Sequence, residues 1–173
     1  MQLLQPADVS FNPQTGYLVL VLDPDGYGYR AEPVRYQERI FAPKQELHIT
    51  VIGRPGATVL LEFLSQHPER LPAVQELVEQ TDWRFGKRRE LYHVQKEPGV
   101  ETIIQMVELP ALEAFFQAVN GLLGQELPLP PAHVTQYMRG TETGIGLPTQ
   151  AAFAAQARAQ VTPEALQSVE GAA

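Results

Sequence analysis

Proline and glycine interrupt this chain along its whole length, with 15 Pro and 13 Gly among 173 residues. Because proline removes a backbone donor and clashes with the preceding helical turn, long uninterrupted helices and coiled coils are excluded. Hydrophobic residues make up 44% and charged residues 19% of the chain, which is ordinary globular usage and excludes a disordered protein. A chain of this length suits one domain built from short elements.

Two kinds of apolar segment fill the stretches between these interruptions. Residues 17–22 and 47–52 are runs rich in aliphatic and β-branched residues, which predict buried strands. Residues 57–66 and 111–123 repeat apolar side chains at helical spacing, which predicts helices with one buried face. Because strands and helices do not alternate strictly, the order favours an α+β fold with mainly antiparallel sheets. The same patterns predict strands in residues 83–95, 100–109 and 132–138, and helices in residues 72–80 and 149–160.

The strands at residues 47–52 and 132–138 carry related sequences, LHITVI and AHVTQY. This internal similarity, with predicted helices and strands between the two segments, predicts a single domain made of two similar lobes. We expect residues 1–148 to form that domain. Residues 149–173 are expected to add an alanine-rich helix and a frayed C-terminal tail.

Composition excludes several classes of function. Cysteine is absent, which excludes disulfides, thiolate nucleophiles and cysteine-ligated metals. The 13 basic and 20 acidic residues give a net charge of −7, whereas binding to long-duplex nucleic acid needs a broad basic face. The N-terminus lacks the pattern of a signal peptide, and no stretch approaches the roughly 20 apolar residues that span a bilayer. We therefore expect a soluble, cytoplasmic monomer with no membrane partner.

The chain has four histidines, and two of them, His48 and His133, are followed two positions later by Thr50 and Thr135. In a strand, residues i and i+2 point to the same face, so each strand presents one imidazole beside one hydroxyl. Two such strands facing one pocket supply two acid/base groups with pKa values near neutrality and two hydrogen-bond donors. This set suffices for metal-independent phosphodiester hydrolysis, in which the hydroxyls hold the non-bridging phosphate oxygens.

The two segments resemble the paired H-x-T/S motifs of the two-histidine phosphoesterase superfamily, in its LigT-like group of cyclic phosphodiesterases. The resemblance implies a bilobal α+β domain, with two mainly antiparallel sheets facing a central cleft and helices outside. It also implies hydrolysis, or in some members ligation, of a 2′,3′-cyclic phosphate or 2′,5′-type linkage of a nucleotide or RNA end, without a metal or cofactor. It assigns catalysis to His48 and His133 and phosphate binding to Thr50 and Thr135. Gln136 departs from the usual apolar residue, and we expect it to face away from the cleft.

Further residues are weaker candidates for contacts with the substrate. Tyr137 lies four positions beyond His133 and is expected on the same face of the strand. Tyr27 and Tyr29 lie in a glycine-containing loop, where either could stack on a base. Arg54 and Arg139 are near the motifs in sequence and could neutralise phosphate, as could Lys44. Residues 83–89 combine basic and aromatic side chains, which indicates either an RNA track or a solvated hairpin, and residues 141–146 are read as a loop bordering the cleft.

Two other functions remain open from the sequence. A non-catalytic RNA- or nucleotide-binding module on the same fold would not require two proton-transfer groups. A two-histidine metal site is disfavoured, because no Asp or Glu follows either histidine at i+2 or i+4 on the same strand face. His67 is interpreted as a loop or helix-end residue and His93 as a solvent or packing residue. The sequence does not assign the general base and the general acid between His48 and His133.

Overall fold

A computed structural model describes residues 1–169, in which ten strands and five helices form an α+β domain. The α+β class and the outer helices are therefore as predicted. None of the helices in these residues is long and apolar enough to cross a bilayer. The strands are β1 (Asp8–Phe11), β2 (Leu18–Val21), β3 (Val34–Tyr36), β4 (Arg39–Pro43), β5 (His48–Ile52), β6 (Gly86–Glu97), β7 (Val100–Glu108), β8 (His133–Arg139), β9 (Ala157–Val161) and β10 (Gln167–Ser168); the helices are α1 (Pro24–Tyr27), α2 (Gly56–Gln66), α3 (Leu71–Gln80), α4 (Leu112–Leu123) and α5 (Gln150–Gln156).

Strand β8 lies at the centre of the sheet and contacts both halves of it. One edge of β8 pairs along most of its length with β7, which continues through β6 to β9. The other edge pairs with β5 near the start of β8 and with β4 near its end. Beyond β5 the sheet continues to β2 and β1, and beyond β4 it continues to β3 and β10. All pairings are antiparallel, as expected, but they join the two halves into one ten-stranded network rather than two separate sheets.

The principal core lies between helices α2 to α4 and the strands β2, β5 and β8. Leu60, Val74 and Val119 are the fully buried side chains that the three helices contribute. They belong to the same cluster as Ile49 of β5 and Val134 of β8, which are also fully buried. Burial of these apolar side chains on one face of β5 and β8 leaves the opposite face free for the motif residues.

The C-terminal segment differs from its prediction. The helix ends at Gln156, and residues 157–161 form β9, which pairs with the edge of β6. The helix predicted over residues 149–160 is therefore too long, because pairing with an open sheet edge overrides the helical preference of alanine. Gln167 and Ser168 pair with β3, so this part of the tail is not frayed. The last positions of the predicted tail, 170–173, lie outside the described residues.

Candidate active site

One pair of residues, Ile49 of β5 and Val134 of β8, aligns the two motif strands. Both side chains are fully buried in the core. Because neighbours alternate between the two faces of a sheet, the residues on either side of this pair point the other way. His48, Thr50, His133 and Thr135 are accordingly half-buried and line one cleft, as the spacing of the motifs predicts.

The cleft has a volume of about 270 Å³, and the four motif residues form one side of it. A second wall comes from the segment after β5, which contributes Arg54. The loop at residues 143–148 forms a third wall, so of the segment 141–146 that was expected to border the cleft, positions 143–146 do so and positions 141 and 142 do not. Among the described residues that line the cleft, none is Asp or Glu, and Arg54 is the only Lys or Arg. The sequence analysis does not identify several other lining residues, which include Tyr17, Phe116, Pro128, Pro130 and Leu147.

The Nδ1 atom of His48 is buried and has no hydrogen-bond partner in the described part of the chain. Burial lowers the pKa of His48 below its ordinary value, and the positive charge of Lys44 lowers it further against an opposing effect of Glu46. Both causes penalise the imidazolium form. The neutral imidazole is therefore favoured, and its Nε2 is the nitrogen left for the cleft.

The ring of His133 is oriented by the backbone of the preceding segment. Its Nδ1 lies 2.7 Å from the carbonyl oxygen of Pro131. A carbonyl oxygen only accepts, so Nδ1 carries the proton and Nε2 is the nitrogen left for the cleft. Burial lowers the pKa of His133, the Pro131 carbonyl opposes that effect, and the charge of His48 lowers the pKa further. The two imidazoles are thus electrostatically coupled.

A glycine lies beside each of the two threonines. A Cβ atom on Gly53 would lie 2.9 Å from Cγ2 of Thr50, which is closer than carbon atoms normally approach. Gly144 has φ +86°, and a Cβ there would lie 3.8 Å from Oγ1 of Thr135. The loop therefore passes directly over Thr135 in a backbone conformation that glycine adopts without strain.

Tyr137 does not line the cleft, contrary to the prediction. In the pairing of β8 with β7, Thr135 is opposite Ile104 and Tyr137 is opposite Ile103, so two steps along β8 match one step along β7. Gln136 is the extra residue of a β-bulge, which changes the alternation of side chains. Tyr137 consequently lies on the other face of the sheet, in the cluster that contains Ile103. Gln136 is buried and outside the cleft, as predicted.

Tyr27 and Tyr29 are not surface aromatics available for base stacking, because they are only 3% and 8% exposed. The Tyr27 hydroxyl donates to Oε1 of Gln105 at 2.6 Å, and its ring stacks on Phe85. Tyr29 donates to backbone carbonyls near β8. Residues 24–27 form the short helix α1, which has Asp23 as its N-cap and Gly28 as its C-cap; Tyr27 ends this helix, Tyr29 follows the cap, and both rings lie in the core.

Arg139 lies beyond the bulge and also misses the cleft. Its Nη1 atom is 3.0 Å from Oε2 of Glu101, which is 1% exposed. Arg39 and His93 approach Oε1 of the same carboxylate at 2.8 and 2.7 Å. This cluster neutralises the buried carboxylate between strands β4, β6, β7 and β8. His93 is therefore a packing residue, as expected, and Arg139 does not contribute to the cleft.

The remaining candidates lie outside the cleft. His67 is exposed and lies 3.7 Å from Glu69 at the end of α2. Within the basic cluster at residues 83–89, Arg84 pairs with Asp82 and Arg88 with Glu90. Lys87 donates to the Tyr27 carbonyl and covers the Tyr27 ring at 4.2 Å. These pairings within the protein favour the structural alternative over an RNA track for this cluster.

Residues 1–169 contain no group of three or more His, Asp or Glu side chains arranged to hold a metal ion. Comparisons of the chain with protein-family models, with curated proteins and with solved structures return no match. The geometry of the cleft and the motif resemblance are therefore the two features of this chain that bear on its function.

Proposed function

We propose that the chain is a metal-independent phosphodiesterase that hydrolyses a cyclic phosphate, 2′,3′-cyclic or related, or a 2′,5′-type linkage of a nucleotide or RNA end. The observation that carries the proposal is the convergence of His48, His133, Thr50 and Thr135 on one face of one cleft. Two imidazoles provide the two proton transfers of the reaction, and two hydroxyls provide donors for the phosphate oxygens.

The unequal surroundings of the histidines suggest their roles. His48 is disfavoured as a cation by burial and by Lys44, which suits a general base. Burial lowers the pKa of His133 as well, but its Nδ1–H is held by the Pro131 carbonyl, an interaction that stabilises the imidazolium and that His48 lacks, so His133 is the better candidate for the general acid. A phosphate bound between the rings adds negative charge that favours protonation of His133.

In the proposed reaction, Nε2 of His48 takes a proton from water while the water oxygen forms a bond to phosphorus. The bond from phosphorus to one sugar oxygen breaks, and Nε2–H of His133 protonates that oxygen as it leaves. Thr50 and Thr135 donate to the non-bridging oxygens as charge develops on them. The product is a phosphomonoester, and proton exchange with water restores the two imidazoles.

The lining of the cleft supports a small substrate. The volume of about 270 Å³ suits a single nucleotide unit. One arginine, Arg54, fits one phosphate charge, whereas a long RNA would need a row of cations along its backbone. The absence of carboxylates among the described lining residues avoids repulsion of that phosphate within a chain of net charge −7.

The test is a hydrolysis screen of 2′,3′-cyclic nucleotides, ADP-ribose cyclic phosphate and 2′,5′-linked oligoadenylate, with and without EDTA. We expect turnover of at least one of these compounds at the same rate in EDTA. Loss of turnover in EDTA that a divalent ion restores would overturn the metal-independent mechanism. Saturable binding of these compounds without turnover would instead support the non-catalytic binding module.

A further inference from the structure

The two motif strands, β5 and β8, have little direct backbone pairing with each other. Strands β5 and β8 share one register pair, Ile49 and Val134, whereas β8 and β7 share six. Acid/base catalysis by two imidazoles requires their separation to be held within about 0.5 Å. Contacts other than strand pairing must therefore fix His48 relative to His133.

Tyr29 provides such a contact on the opposite side of the sheet from the cleft. Its hydroxyl lies 2.8 Å from the carbonyl oxygen of Gln136 and 3.0 Å from that of Lys44. One proton is shared between the two acceptors, as in a three-centre hydrogen bond. The backbone N–H of Lys44 also donates to the Gln136 carbonyl at 2.8 Å, which closes a small network of three residues.

The two carbonyls belong to the chain segments that carry the catalytic groups. Gln136 is the bulged residue of β8 and directly follows Thr135. Lys44 follows β4, four positions before His48, and its charge acts on the His48 imidazole. The Tyr29 hydroxyl therefore connects the bulge beside one motif to the segment that enters the other.

The surroundings of Tyr29 suit a fixed hydrogen-bond donor. The side chain is 8% exposed, and its ring lies against Tyr137 with the ring centroids 5.8 Å apart. Burial raises the pKa of Tyr29 well above its ordinary value, so the hydroxyl retains its proton at every pH relevant to catalysis. Removal of the hydroxyl alone leaves the Gln136 carbonyl with the Lys44 N–H as its donor and takes from the Lys44 carbonyl the hydrogen bond that Tyr29 donates.

We infer that Tyr29 is a positioning residue, whose hydroxyl fixes the distance between His48 and His133 by linking the carbonyls of Lys44 and Gln136. Its catalytic consequence rests on the proposed phosphodiesterase function. The fixed separation of the two rings does not rest on that function, since the two imidazoles are electrostatically coupled whether or not a substrate turns over.

The test compares Tyr29→Phe with Tyr36→Phe. Tyr36 is the control, because it is 5% exposed, its ring contacts Phe41 and His93, and its hydroxyl does not bond the Lys44 or Gln136 carbonyl as that of Tyr29 does. Using 2′,3′-cyclic AMP as the probe, we expect Tyr29→Phe to lower kcat by about 10- to 100-fold, the effect of a displacement of about 1 Å. KM should change little, and Tyr36→Phe should keep the wild-type kcat.

A second measurement does not depend on hydrolysis. The titrations of His48 and His133 are followed by NMR in the wild type and in each tyrosine variant. Each protein is also measured with His48→Gln, and the change in the His133 pKa reports the coupling between the rings. We expect Tyr29→Phe to reduce this coupling and Tyr36→Phe to preserve it.

These outcomes separate the two proposals. Reduced coupling in Tyr29→Phe, in a protein that hydrolyses none of the probes, would support the positioning role and overturn the phosphodiesterase. Unchanged coupling and an unchanged kcat would overturn the positioning role alone. If Tyr29→Phe is unstable, the titrations are made in the cold with trimethylamine oxide, which favours the folded state. Failure to fold under those conditions would show that Tyr29 has only a structural role.

Discussion

Ile49 and Val134 are paired across β5 and β8, and both point into the same core. This single register pair decides which side chains of the two strands share a cleft. A slip of one residue in either strand would exchange its buried and cleft-facing sets. The chemistry of the site therefore depends on the burial of two side chains that never contact a substrate.

Replacement of either histidine tests the catalytic assignment. We expect His48→Ala and His133→Ala each to lower the rate of hydrolysis by about 10²- to 10⁴-fold, the usual contribution of a general acid or base. The double variant should be little slower than the slower single variant, because the two residues act as a unit. His67→Ala is the control, since His67 is exposed outside the cleft. Wild-type turnover by a folded His48→Ala or His133→Ala protein would refute the assignment.

The threonine hydroxyls are expected to act mainly in the transition state. Thr50→Val and Thr135→Val keep the shape of the side chain but remove the donor, and each should cost up to about 3 kcal/mol of transition-state stabilisation. Steady-state kinetics should show the loss in kcat as well as in kcat/KM. Thr58→Val, at an exposed position of α2, should have no effect. A change confined to KM would indicate that the hydroxyls bind substrate and transition state equally.

The pH dependence of hydrolysis should be bell-shaped and displaced to the acid side. The pKa values of both His48 and His133 lie below the ordinary value of 6.5 in the free protein. The base must be neutral and the acid protonated, so kcat/KM should reach its maximum below pH 6.5 and fall on both sides. Bound phosphate favours the imidazolium, so the alkaline limb of kcat should lie at higher pH than that of kcat/KM. A maximum of kcat/KM well above neutrality would contradict the lowered pKa values.

The same lowered pKa values predict how folding stability depends on pH. Below about pH 6.5 the unfolded chain binds protons at His48 and His133 more readily than the folded protein does, so the free energy of unfolding should fall as the pH drops. Urea unfolding across this range should show a weaker dependence in His133→Gln, which does not titrate. An unchanged pH dependence in that variant would mean that His133 is not buried as described.

Two glycines of the same loop allow a matched test of the wall above Thr135. Gly144 has φ +86°, so Gly144→Ala should strain the backbone by about 1–2 kcal/mol and raise KM by moving the loop. Gly146→Ala adds the same methyl group where nothing lies within 4 Å and φ is not in the left-handed region. The control should therefore bind and turn over substrate normally. A wild-type KM in both variants would exclude the loop from substrate binding.

The parts of the site that could be predicted from the sequence are those governed by local alternation. His48 with Thr50, and His133 with Thr135, share a face because residues two apart on a regular strand do so. Tyr137 was misplaced by the same rule, because the bulge at Gln136 depends on the register with β7. No local signal in the sequence of β8 marks that bulge.

Other differences also come from contacts distant in sequence. Tyr27 and Tyr29 occur in a segment with turn residues, and their burial depends on partners such as Gln105 and Gln136. Residues 157–161 form a strand because β6 offers them an edge. Tyr17 and Phe116, which form walls of the cleft, lie in segments whose sequence patterns predict a buried strand and a helix with one buried face, and those patterns do not indicate a binding site. Their role becomes visible when β2, β5 and α4 are assembled.

The bulge at Gln136 also affects how this chain can change through insertion and deletion. Removing that one codon would restore regular alternation along β8 and move Tyr137 and Arg139 toward the histidine face. A single deletion would thereby exchange the side chains that the C-terminal half of β8 presents to the two faces of the sheet, which no single point substitution achieves. Strand length at this position therefore affects which side chains of β8 face the cleft, separately from the identity of those residues.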